Sequence, residues 1–244
     1  MNARLLTLLV VTSVILAGTA YQNEHYGIPS PDLINSPEIA WRLIDSPDTA
    51  FGLFWVGTTA WIAEPNSLIT FSIQQIHEDV QGRLTIGNVS LDANDTAIAK
   101  DFVLGVWGLE SFLPGLIIET DETSIANLNS SAYASAERIP GNFMNGTMTS
   151  SYEIVEVSGK EYNCITFTYV QDEPTFGEPQ ETELSYDLTT GVLVYAKTSY
   201  SFGTPFVLEF ELHSITTTNM LVVLGITSIA IITLVAFIAL FKKK

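Results

Sequence analysis

The sequence predicts an α+β chain that is mainly antiparallel β: a curled, half-barrel-like meander sheet with one long helix, followed by a C-terminal transmembrane helix. Three observations carry this. Five segments between Ser151 and Ile215 alternate apolar and polar residues and are joined by short turns. An alanine-rich run, Glu122 to Ile139, repeats its apolar residues at helical spacing. Met220 to Phe241 holds no charged residue.

The five alternating segments are Ser151–Val157, Glu161–Gln171, Glu181–Leu188, Val192–Ser201 and Phe206–Ile215. In the last, Phe206, Leu208, Phe210 and Leu212 point to one face, and Val207, Glu209, Glu211 and His213 to the other. A period of two is the mark of a half-buried strand. Close spacing of such strands favours hairpins and an antiparallel meander. In Glu122–Ile139, Ile125, Leu128, Ala132 and Ala136 share a helical face, and Pro140-Gly141 stops the run.

Upstream, Ile69, Phe71 and Ile73 alternate with Thr70, Ser72 and Gln74, which predicts a strand after the turn cluster Glu64-Pro65-Asn66-Ser67. A second strand is expected over Arg83–Leu91 and a loop over Asp92–Thr96. Ala97–Trp107 reads equally as strand or helix. The entry segment, residues 21–48, carries Ser30-Pro31-Asp32, Ser36-Pro37-Glu38 and Ser46-Pro47-Asp48. Serine caps a helix, proline fits its first turn and an acid suits its positive end, so short helices are expected, one over Pro37–Ile44.

The ends of the chain are apolar and raise the mean hydropathy to +0.28. Leu5–Ala17 follows Arg4 and leads to Gly18-Thr19-Ala20. This reads as a signal peptide over residues 1–20, too short to cross a core that needs about 20 apolar residues; an uncleaved anchor over Leu5–Ala20 is the alternative. Met220–Phe241 would span about 33 Å as a helix, enough for a hydrocarbon core of about 30 Å. Lys242, Lys243 and Lys244 follow, and clustered lysines mark the cytoplasmic side. The expected arrangement is a single-pass protein of the cell membrane. Residues 49–216 form a β-rich extracellular domain, residues 220–241 lie in the lipid bilayer, and residues 242–244 are cytoplasmic.

Charge narrows the function. Between the two apolar ends, Arg42, Arg83, Lys100, Arg138, Lys160 and Lys197 face all 27 acidic residues, leaving about 21 negative charges uncompensated. Such a surface repels phosphate backbones, and nucleic acid is not an expected partner. Cys164 is the sole cysteine and sits in a strand-like run, so a packed, inert thiol is expected.

Tyr186-Asp187-Leu188-Thr189-Thr190-Gly191-Val192-Leu193 resembles the YD-x-x-T-G-x-L hairpin of many secreted β-rich proteins. Among these is the antiparallel half-barrel family of lipoprotein carriers such as LolA. The layout of signal, β-meander with one long helix and lysine-capped anchor is similar to archaeal-type single-pass surface proteins with a β-rich ectodomain. The resemblance implies a concave, apolar-lined sheet.

Chemistry-bearing motifs are few. No G-x-S-x-G elbow or Gly-rich phosphate loop occurs, so no catalytic residue is named and an enzyme is not expected. Asp92-Ala93-Asn94-Asp95 lacks calcium-loop spacing, and His77 has no second histidine four residues on. His25 and His213 have no partner legible in sequence. Neither a metal nor a cofactor is expected. Trp41, Trp55, Trp61 and Trp107 read first as core; Trp55, Trp61 and Trp107 are the alternative candidates to line a groove for an apolar ligand. Asn88, Asn94, Asn129 and Asn145 each begin an N-x-S/T sequon and are candidate glycosylation sites in an exported chain. The expected function is a non-catalytic surface protein that binds a lipid-like, glycan or protein partner. The alternatives are a structural envelope component acting by lateral assembly and, last, an extracellular hydrolase.

Overall fold

A computed structural model describes residue 33 and, from 38 to 216, all residues but 49, 54–55, 63, 77–78, 105–113, 137–144, 173–176 and 202–204. The expected signal peptide and the expected transmembrane helix, 220–241, lie outside the described residues. Among the described residues no helix is long and apolar enough to cross a membrane.

Eleven strands are described. A small hairpin pairs β2 (Phe51–Leu53) with β3 (Thr58–Trp61). The other nine strands make one open antiparallel sheet. They are β1 (Glu38–Asp45), β4 (Leu68–Ile76), β5 (Val80–Ile86), β6 (Val89–Asn94), β7 (Gly146–Val157), β8 (Lys160–Gln171), β9 (Glu178–Asp187), β10 (Leu193–Ser201) and β11 (Pro205–Thr216). Their order across the sheet is β6-β5-β4-β1-β11-β10-β9-β8-β7. Two meanders, β4 to β6 and β7 to β11, are thus joined through β1.

β1 corrects the helix expected over Pro37–Ile44. Its cap-like Ser-Pro-Glu start is a local signal worth about a kilocalorie. Ile39, Trp41 and Leu43 instead bury at a period of two, and the strand is hydrogen-bonded on both sides, to β4 and β11. Pairing to two neighbours outweighs a cap. Two smaller corrections follow. The strand expected over Arg83–Leu91 is broken at Gly87-Asn88, a tight turn in which Gly87 takes a φ of +53°. The loop expected over Asp92–Thr96 is the end of β6 and the start of helix α1 (Asp95–Ala99). A π-helical turn, Lys100–Leu104, continues α1 and settles the ambiguity of Ala97–Trp107 on the helical side as far as it is described.

The five downstream strands form where alternation places them. On β11, Leu208, Phe210 and Leu212 are buried, Glu209 and Glu211 half-buried and His213 exposed. Paired rows continue that facing across the sheet. One row runs Leu43–Phe210–Ala196–Leu184–Phe167, all buried. The opposite face carries Arg42–Glu211–Tyr195–Ser185–Thr166.

Helix α2 (Glu122–Ser135) starts on Asp121, whose carboxylate accepts from the Thr123 and Ser124 N–H groups. It packs against β7, at the edge of the sheet. Ile125 and Ala132 are its buried residues. The apolar row is covered instead by the α1/π segment and by residues 116–118. Phe102 meets Phe210 edge-on at 6.2 Å, and Ile98, Leu116, Ile117 and Ile118 join the same core. The segment 116–118 is clasped in the β9–β10 turn: Ile118 N–H donates to Gly191 O (2.9 Å) and Leu193 N–H to Leu116 O (2.9 Å).

Candidate functional site

The residues singled out for function scatter. Trp55, Trp107, His25 and His77 lie outside the described residues. Trp61 lies on β3, with its backbone opposite Phe51. Trp41 is core: it is 1% exposed, and its indole N–H donates to Leu193 O at 2.7 Å. A buried indole needs such an acceptor.

The sequons differ in setting. Asn88 is exposed at the tip of the β5–β6 hairpin. Asn94 is half-buried and caps α1, its side-chain carbonyl accepting from Ala97 N–H at 2.9 Å. Asn129 lies within α2, and Asn145 precedes β7, its carbonyl accepting from Asp172 N–H at 2.8 Å. Of the four, Asn88 alone is exposed; Asn94, Asn129 and Asn145 are half-buried.

Cys164 is 1% exposed on β8. Burial pushes its thiol up to about 12, with Asp187 and Glu153 adding to the shift. A thiol held that far above its ordinary value is neither nucleophile nor ready ligand. In the folded protein Cys164 is expected to resist maleimide at pH 7.5 and to react once urea unfolds the domain; labelling followed by mass spectrometry reads both states.

Two carboxylates are buried near α1. Asp95 is 2% exposed and accepts three backbone N–H groups, from Val80 (3.2 Å), Leu116 (3.1 Å) and Ile117 (3.2 Å). It ties β5 to the 116–118 segment. Desolvation and then neighbouring Asp79 raise its carboxyl well above the ordinary range. Asp101 accepts from Val56 N–H at 2.8 Å and ties in the small hairpin. Each is tied to backbone, which fits a structural post rather than an acid–base pair. A depression of about 250 Å³ on the β5–β6 side is lined by Gln74, Gln81, Gly82, Asp92, Ala93 and Asn94. There Arg83 holds Asp92 below the usual carboxylate range in an exposed ion pair of 3.0 Å.

Among the described residues the most exposed large apolar side chains lie on β7, the last strand of the sheet. Tyr152 is 66% exposed and Ile154 65%. Ser150 N–H does not enter the β7–β8 ladder; it donates to the Tyr133 hydroxyl of α2 at 3.2 Å. Antiparallel hydrogen bonding alternates residue by residue. With no register shift in the β7–β8 pairing, Tyr152, Ile154 and Glu156 therefore also turn their backbone groups outward. Among the described residues no strand pairs there. Beyond Val157 a two-residue turn, with Ser158 at φ +52° and Gly159 at +76°, reverses the chain. The hairpin tip bends back over the polar face, where Ser158 hydroxyl meets both Arg42 (3.1 Å) and Glu211 (3.0 Å), themselves ion-paired. The open edge thus runs from Ser151 to Val157, stopped at one end by Tyr133 and at the other by the turn.

Sequence reading found β7 as a strand but not as the edge. Its one legible signal was that Tyr152 and Ile154 stand among polar residues.

Compared with protein-family models, curated proteins and solved structures, the chain matches none of them.

Proposed function

We propose that the chain is a membrane-anchored, extracellular, non-catalytic surface module that recognises a protein partner through the outside of its sheet. The observation that carries this reading is the open β7 edge with Tyr152 and Ile154 in solvent. An extended segment added to such an edge gains main-chain hydrogen bonds and side-chain contacts together. Lipid-like ligands are less favoured, because the apolar row that a half-barrel would offer to lipid is covered by Phe102, Ile98 and residues 116–118. The acidic surface, the uncharged run 220–241 and the lysines after it support an outward-facing domain held at a bilayer.

The test is protease added to intact cells, with native mass spectrometry of the full-length protein in detergent. The expected results are loss of the large domain to external protease and a mass without an apolar small ligand. A protected domain would defeat the placement, and a retained lipid bound within the domain would defeat the protein-partner reading.

A further inference from the structure

We infer that the partner of the β7 edge is a second copy of the same edge, paired antiparallel about a two-fold axis at Ile154. The inference rests on the surface reading above and names its partner.

Self-pairing of an antiparallel edge is constrained by parity, charge and length. Outward-facing residues must meet outward-facing residues. That confines the choices to registers that pair Tyr152, Ile154 and Glu156 among themselves. An axis at Glu153 or at Glu156 sets that glutamate directly opposite its own copy, which destabilises a pair. An axis at Tyr152 brings Ile154 opposite Ser150, whose N–H already donates to Tyr133. An axis at Val155 carries Tyr152 past the end of the strand, opposite Ser158 of the turn.

An axis at Ile154 has none of these faults. It sets Ile154 opposite itself, Tyr152 opposite Glu156, Glu153 opposite Val155 and Ser151 opposite Val157. No glutamate directly faces a glutamate. Because the open edge runs from Ser151 to Val157, Ile154 is its midpoint, and the pairing uses all of it. Three hydrogen-bonded pairs would exchange about six N–H···O bonds. The exposed Tyr152 and Ile154 side chains of the two copies would lie together on one face, within the reach of cross-strand and diagonal neighbours.

Of the residues that keep edges apart, β7 carries only the two glutamates, Glu153 and Glu156, which this register keeps from facing each other. Gly146–Val157 contains no lysine, arginine or proline. Among the described residues the blocking group is Tyr133, which closes the edge at Ser150 and fixes where pairing can begin. Both copies are acidic, but beyond roughly 8–10 Å that repulsion is screened at physiological salt.

The experiment uses the full-length protein in detergent and in intact cells. Ile154→Cys is treated with a short bis-maleimide, beside Ser90→Cys on β6, the opposite edge of the sheet. Cys164 is buried and stays silent. The expected result is a covalent dimer through position 154 and none through position 90. Ile154→Lys puts two ammonium groups face to face and should weaken self-association more than about tenfold in sedimentation. Since Ile154 is 65% exposed, the variant should melt with the wild type when both are dilute enough to be monomeric, and below it at concentrations where the wild type is paired. A wild-type monomer at tens of micromolar, equal cross-linking at 90 and 154, or an Ile154→Lys dimer as tight as wild type would each overturn the pairing. A monomer whose domain is still shaved from intact cells overturns the pairing alone. A covalent dimer at 154 whose domain resists external protease supports the pairing and overturns the surface reading.

Discussion

Asp95→Ala is expected to lower the stability of the domain by about 3–5 kcal/mol, read by urea unfolding of the purified protein. The side chain has three buried clients, the N–H groups of Val80, Leu116 and Ile117. Alanine leaves all three without an acceptor in a site that water does not reach, and each orphaned donor costs on the order of 1–3 kcal/mol before relaxation. Asparagine separates shape from charge, because it keeps an acceptor oxygen and removes the ionisation. The carboxyl of Asp95 is raised well above its ordinary value near 3.8, first by burial and then by Asp79. A raised acid binds its proton more tightly when folded than when unfolded. Its contribution is therefore fully present below the unfolded value and is lost as pH rises through the folded one. The melting temperature of the wild type should rise relative to Asp95→Asn as pH is lowered from neutral toward that unfolded value. A difference that stays constant over that window would show that Asp95 titrates normally.

Gly191→Val should be comparably damaging, about 3–5 kcal/mol, for a different reason. Gly191 has a φ of +78°, which costs a residue with a Cβ roughly 1–2 kcal/mol. In addition, a Cβ there would overlap the carbonyl oxygen of Ile118, whose own N–H donates to Gly191 O. The Ile117–Val192 bridge and the Leu193–Leu116 hydrogen bond follow this contact in register, so a displaced turn releases the whole 116–118 segment from the core. Gly159→Val is the control. Its φ is +76°, yet a Cβ there would meet nothing within 4 Å. That variant should lose only about 1–2 kcal/mol, the backbone cost alone. Equal losses at the two glycines in chemical denaturation would show that the clasp adds nothing.

The hairpin around Gly191 also shows how far short motifs carry. Asp187 accepts from both Thr190 N–H (3.0 Å) and Thr190 hydroxyl (2.7 Å), and Gly191 N–H donates to Asp187 O (2.7 Å). The spacing of Asp, Thr and Gly is thus a self-contained turn. It was readable in sequence because its partners lie within four residues. What it clasps, residues 116–118, was not readable, because that contact joins positions about 75 residues apart.

By itself the sequence determined the antiparallel strands from Ser151 to Ile215, the helix starting at Glu122, the facing of Leu208, Phe210 and Leu212, and the packing of Cys164 inside a strand. Each follows from a local period or composition that burial then obeys. Tertiary structure alone decided that Ile39–Leu43 is a strand, that α2 lies at the sheet edge, that Asp95 is a buried post and that β7 ends the sheet. These depend on which distant segments supply hydrogen-bond partners. A backbone group or a carboxylate is satisfied, buried or left open according to its neighbours in space, and no local pattern of residues records who those neighbours are.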